Sequence, residues 1–135
     1  MLHQRVSYLA DRQMTHRAIL DRAARADGDN PTPTLAGFAA IVGEHLREHF
    51  DPAALPVQQV LCLAEEAGEF TAAYRRWAGM ARRPGTWDEV TSELADVVIT
   101  AYVTARVLGI DLDAAWHAKA EVILSRGWRQ PPPAA

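Results

Sequence analysis

The chain has 135 residues, with 14 Lys and Arg against 17 Asp and Glu, for a formal net charge of −3. That length suits one domain, and a hydrophobic content of 49% excludes a wholly disordered chain. The slightly acidic balance gives no general attraction to nucleic-acid polymer or anionic lipid, no stretch reaches the roughly 18 apolar residues of a membrane span, and the single Cys62 excludes an intrachain disulfide. The first residues, Met-Leu-His-Gln-Arg, lack the apolar core of a signal peptide, so a cytoplasmic location without a membrane partner is expected.

In chain order, Leu2, Val6, Leu9, His16, Ile19 and Ala23 recur at helical spacing and predict an amphipathic helix over about 3–26. Residues 27–34, Asp-Gly-Asp-Asn-Pro-Thr-Pro-Thr, disfavour helix and strand alike and form a linker. Residues 1–30 therefore read as a helical extension with linker, 31–127 as the main domain, and 128–135, with three consecutive prolines, as a disordered tail. Thr34 is placed to cap a helix from Leu35 to Phe50, with Leu35, Phe38, Ile41, Val42 and Leu46 on one side. Pro56 suits the first helical position of a long helix ending near Ala78, with Gly79 as its stop.

Thr86-Trp87-Asp88-Glu89 is a capping-box pattern that opens a third helix, running to Leu108 and stopped by Gly109. The β-branched run Val97-Val98-Ile99-Thr100 would suit a strand. The cap, the stop and the stripe Val90, Leu94, Val97, Ala101, Ala105, Leu108 favour helix instead. Asp111 caps a last helix over about 112–126, closed by Gly127. The expected fold is all-α: a four-helix bundle with one additional N-terminal helix.

Two acidic groups carry the functional reading. Glu65-Glu66-Ala67-Gly68-Glu69 lies in the middle of the second body helix, and Glu93-Leu94-Ala95-Asp96 in the third. At ~100° per residue, Glu66 and Glu69 stand ~60° apart on the helix surface, as do Glu93 and Asp96. Each pair aims two carboxylates at one place. The stripe below Glu93 and Asp96 continues through Thr100, Val103 and Val107. Glu66 is flanked by Leu63, Phe70, Ala73 and Trp77, so the acids point toward protein, where a charge without a partner is costly. A short loop makes the two helices antiparallel and brings the pairs to within roughly 4–5 Å in height. Four converging carboxylates with no His or Cys select a hard cation, Mg²⁺ or else Mn²⁺. A lone E-x-x-E on a helix is ordinarily a solvated face; two pairs level across a hairpin are much less common.

The pattern Glu65-Glu66-x-x-Glu69, 23 residues, then Glu93-x-x-Asp96 resembles the signature of the MazG-like, all-α nucleoside triphosphate pyrophosphohydrolases. The resemblance covers about 35–126. It implies a helical bundle, assembled as homodimer or homotetramer, that cleaves a (d)NTP between the α- and β-phosphates with Mg²⁺ and releases (d)NMP and pyrophosphate, as in removal of unwanted nucleotides from the pool. Relatives include dimeric dUTPases, dCTP pyrophosphatases and phosphoribosyl-ATP pyrophosphohydrolases. The resemblance further implies Glu66, Glu69, Glu93 and Asp96 as metal ligands and Glu65 as either the base or a group behind the ligands that positions the attacking water. On the last helix the family commonly carries Lys, Asn and Arg; Lys119 and Arg126 fit as phosphate contacts, whereas Ile123 stands at the Asn position.

Aromatic candidates for stacking on a base are Trp77, with Trp87 and Tyr74 near it, and Phe38 and His45 on the first body helix. An aromatic at helical spacing is more often core. His45 and His49, one turn apart, suit a transition metal; with no third ligand evident in the sequence, the pair reads as an interface or a solvated face. Two other classes compete: a di-iron carboxylate bundle, which needs Glu-x-x-His motifs that neither acid group contains, and a non-catalytic helical module that keeps the fold and serves a partner.

Overall fold

The computed structural model describes residues 34–126, which form four α-helices and no strand: α1 (Leu35–His49), α2 (Leu55–Trp77), α3 (Trp87–Leu108) and α4 (Leu112–Ser125). The expected helix over 3–26, most of the 27–34 linker, Gly127 and the 128–135 tail lie outside the described residues. Each body helix lies within a residue or two of its expected bounds. Among the described residues no helix is long and apolar enough to cross a membrane.

The caps explain the boundaries. Thr34 Oγ1 accepts a hydrogen bond from the Gly37 amide at 3.1 Å, and Asp111 Oδ1 from the Ala114 amide at 2.9 Å. At α3 both halves of the capping box form: Glu89 N donates to Thr86 Oγ1 at 3.2 Å, and Thr86 N to Glu89 Oε2 at 3.1 Å. α2 begins at Leu55, one residue before Pro56, which still sits in the first turn where its missing N–H costs nothing. α2 and α3 stop identically. Met80 N donates to Arg75 O and Ile110 N to Ala105 O, both at 2.8 Å, while Gly79 (φ +74°) and Gly109 (φ +73°) hold the left-handed turn that a Cβ disfavours.

α2 and α3 form the most extensive helix pair, and α1 packs on α3. Near the loop, Arg76 Nε lies 4.0 Å from Glu89 Oε2 and the Trp77 and Trp87 ring centroids are 4.7 Å apart. At the far end Thr104 Oγ1, which donates to Thr100 O at 2.7 Å, lies 3.4 Å from Gln59 O of α2, so the pair runs antiparallel. The core gathers Ala39, Val42 and Leu46 of α1, Leu55 of α2 and Val103 of α3, with Phe38, Phe50, Ile99, Tyr102 and Val107 against it. Hydrophobic burial of this kind supplies ~25 cal/mol per Å² of apolar surface.

The covered face of α3 differs from the expected stripe. Val90 and Ala105 are buried, but Leu94 and Leu108 are exposed, and Thr100, Val103 and Thr104 lie inside. α3 carries two apolar faces, and α1 and α2 cover the one that also bears Glu93. α4 buries no residue. Its described tie to the body is Tyr102 Oη, which donates to Asp113 Oδ1 at 2.8 Å. That carboxylate holds the Tyr102 phenol above its usual range, chiefly through this hydrogen bond, with desolvation and its negative charge adding to it.

Candidate metal centre

On α2 the buried residues are Leu55, Gln59, Cys62, Glu66 and Ala73, separated by steps of four, three, four and seven. Those are the positions that face a packed neighbour on a helix. Glu66, only 2% exposed, occupies one of them where an apolar side chain would ordinarily stand. α3 answers with Val90, Glu93, Val97, Thr100 and Thr104, of which Glu93 and Val97 are half-buried. Two carboxylates thus take seam positions in the α2–α3 contact. Carboxylates crowded together raise one another's cost of ionisation unless a cation lies between them.

The register brings them together. Between the Arg76–Glu89 and Gln59–Thr104 contacts, the level of Glu69 on α2 falls between Glu93 and Asp96 on α3. One carboxylate oxygen each from Glu66, Glu69 and Glu93 lies within 4.8 Å of the others. Glu69 is exposed and Glu93 half-buried, so the group opens from a buried floor toward solvent. An all-oxygen donor set with an open side fits a hard divalent ion that keeps coordination positions for water or phosphate oxygens. Asp96 is half-buried, one turn beyond Glu93, and stands outside that group of three. Glu65 is exposed beside Glu66.

The remaining expected residues are spread more widely. Trp77 packs against Trp87 with the ring planes tilted by 60° and contacts Tyr74, with all three rings exposed at the loop end of the hairpin. Phe38 lies against the core. Lys119 and Arg126 are exposed on α4. Gly68, in the middle of α2, has nothing within 4 Å of where its Cβ would be, so no described helix uses it for close approach. His45 stacks on His49, ring centroids 4.1 Å apart. Glu48 joins them, with one potential ligand atom from each of the three within 4.8 Å. Sequence reasoning missed Glu48, although its place three residues after His45 and next to His49 was the available signal.

Comparison with protein families matches residues 15–121 to the model described as PRA-PH, phosphoribosyl-ATP pyrophosphohydrolase. The match extends N-terminally beyond the part that carries the acidic motifs. No curated protein and no solved structure matches the chain significantly. The matched family lies within the MazG-like all-α superfamily that the acidic motifs resemble, and its members hydrolyse the pyrophosphate linkage of a nucleotide. With most of its length matched and both acidic motifs carried on a helical hairpin, the chain belongs to the phosphoribosyl-ATP pyrophosphohydrolase family.

Proposed function

We propose that this protein is a Mg²⁺-dependent pyrophosphohydrolase that cleaves the α–β phosphoanhydride bond of a nucleoside 5′-triphosphate, releasing the monophosphate and pyrophosphate. The observation that carries the reading is the convergence of Glu66, Glu69 and Glu93 on one small volume, with Glu66 inside the helix seam. Such an oxygen cage, with Asp96 closing it from the next turn of α3, suits Mg²⁺, with Mn²⁺ as the alternative ion. When bound, the ion neutralises phosphate charge and aligns the reacting groups, the main requirements of phosphoryl transfer.

The chain's own residues do the rest. Glu66 anchors the cage because the seam fixes its side chain, and Glu69 and Glu93 meet it from the solvent side. Glu65, ~100° around α2 from Glu66, orients the attacking water and accepts its proton. Lys119 and Arg126 take phosphate oxygens through charge-assisted hydrogen bonds when α4 closes over the hairpin. Trp77, with Trp87 behind it, offers a face on which a base stacks, and Phe38 and His45 are further base contacts. Free (d)NTPs, as in house-cleaning, are the first substrate reading. Phosphoribosyl-ATP, itself a nucleoside 5′-triphosphate, is the second, favoured by the family match.

The exposed apolar side chains Val57, Val60 and Leu61 on α2 and Leu94 and Val98 on α3 support assembly as a homodimer or homotetramer, since monomers rarely expose a broad apolar face. The cytoplasm is the compartment in which such a substrate would be met. The test is a panel of dNTPs, NTPs and phosphoribosyl-ATP with Mg²⁺, read by pyrophosphate release. At least one is expected to yield monophosphate plus pyrophosphate. Orthophosphate as the product, or no turnover on the whole panel, overturns the reading and favours a non-catalytic helical module.

A further inference from the structure

A second group of metal-ligating side chains lies on α1, apart from the acidic residues of the hairpin. His45, Glu48 and His49 project from the last two turns of that helix, with one ligand atom from each within 4.8 Å of the others. Their chemistry differs from that of the hairpin acids. Two imidazoles and one carboxylate form a nitrogen-rich, borderline donor set that favours late first-row divalent ions over Mg²⁺. Zinc ligands bind at ~2.0–2.2 Å, so two ligands of one ion stand at most ~4.3 Å apart, which small side-chain rotations here would reach.

Three features prepare the group for an ion. His49 Nδ1 lies 2.8 Å from His45 O. A carbonyl oxygen can only accept, so Nδ1 donates in that bond and Nε2 is the ring nitrogen that would act as the ligand. A backbone carbonyl holding the far nitrogen of a metal-binding imidazole is a common supporting arrangement. The helix is anchored beneath the group by Ile41, Val42 and Leu46, all buried, so His45 and His49 stand on a fixed scaffold. The group also sits at the helix C-terminus, where the partial negative charge of the last carbonyls favours a cation.

We propose that His45, Glu48 and His49 form a second cation site that takes a late first-row divalent ion such as Zn²⁺ or Ni²⁺. With three protein ligands, one tetrahedral position remains for water or an exogenous oxygen. The ion ties the last turn of α1 to the turn before it. None of its three ligands belongs to the hairpin acids, but His45 is shared with the base contacts proposed above, so a bound ion would take that imidazole from the base.

The test is calorimetric titration of the full-length chain, without a polyhistidine tag, with ZnCl₂ in saturating Mg²⁺ so that the hairpin acids are occupied. One Zn²⁺ is expected per chain. His45→Gln and His49→Gln should each weaken binding by about tenfold or more, the scale seen even for loss of supporting groups around a metal, while Glu69→Gln leaves it unchanged. Unaltered affinity in both histidine variants, or loss of binding in Glu69→Gln, overturns the proposal. Nitrogen-15 imidazole spectra of the wild-type chain give an answer independent of how the variants fold. Zn²⁺ should shift the His49 Nε2 resonance, and unchanged His45 and His49 resonances at saturating Zn²⁺ would refute the site.

Discussion

The α2–α3 hairpin and α4 begin from similar local chemistry and end differently. Each has clear capping: Thr86 and Glu89 box the start of α3, and Asp111 caps α4 through the Ala114 amide. Each carries apolar residues at helical spacing. Yet the hairpin buries Glu66 to 2% exposure, whereas α4 buries nothing and leaves Trp116 48% exposed. Caps and periodicity determine that a segment is helical. Whether its face is covered depends on the partner, and a hairpin with a short loop brings its own partner with it.

The largest expected effect tests the hairpin. If the pyrophosphohydrolase activity is present, Glu69→Gln and Asp96→Asn should each lower kcat/KM at least a hundredfold, about 2.7 kcal/mol of transition-state stabilisation, with helical circular dichroism retained. Full activity in both would separate these acids from the chemistry. The next tests whether α4 joins the site. Lys119→Ala combined with Arg126→Ala should raise KM about tenfold, ~1.4 kcal/mol, without disturbing the melting temperature. An unchanged KM would leave α4 as an appendage of the hairpin.

A smaller effect concerns the open surface of α2. Gly68 has space for a Cβ and no positive φ, so Gly68→Ala should stabilise the fold by up to about 1 kcal/mol. Stabilisation with unaltered turnover makes the glycine neutral; stabilisation with lost turnover means that substrate uses the space. The smallest effect concerns the tie of α4. Asp113 disfavours the Tyr102 phenolate, so the folded pKa lies above its ordinary value near 10. The contribution is fully present below pH 10 and fades as pH rises through the folded pKa. Thermal melts of Tyr102→Phe should therefore fall slightly below wild type at pH 8, with the gap closing above pH 10.

Much of this was legible in the sequence because the signals were local. Thr34, Thr86 and Asp111 start helices, and Gly79 and Gly109 end them, through hydrogen bonds that span only a few residues. The approach of Glu66, Glu69 and Glu93 was legible as well, since a short loop fixes how two helices align, while Asp96, expected with them, stands outside that group. The covered face of α3 was legible only in part: Thr100 and Val103, on the stripe below the acids, go inside, whereas Leu94 and Leu108 of the other stripe stay exposed. Leu94 and Thr100 fit equally good stripes, and only the positions of α1 and α2 decide that the threonine goes inside. Burial of Gln59 and Thr104 escaped for the same reason, since their polarity suggested solvent; the Thr104 hydroxyl is satisfied inside by Thr100 O, 2.7 Å away on its own helix. Glu48 was overlooked because an acid beside two histidines reads as surface charge until a shared distance joins them.

Because both acidic motifs ride on one hairpin whose strap is only the stretch from Ala78 to Thr86, their encounter asks little of chain topology. Few degrees of freedom are lost in closing so short a connection, and contacts of low sequence separation form early. The three carboxylates of Glu66, Glu69 and Glu93 are therefore brought together as soon as these two helices zip up, before the rest of the chain needs to be in place.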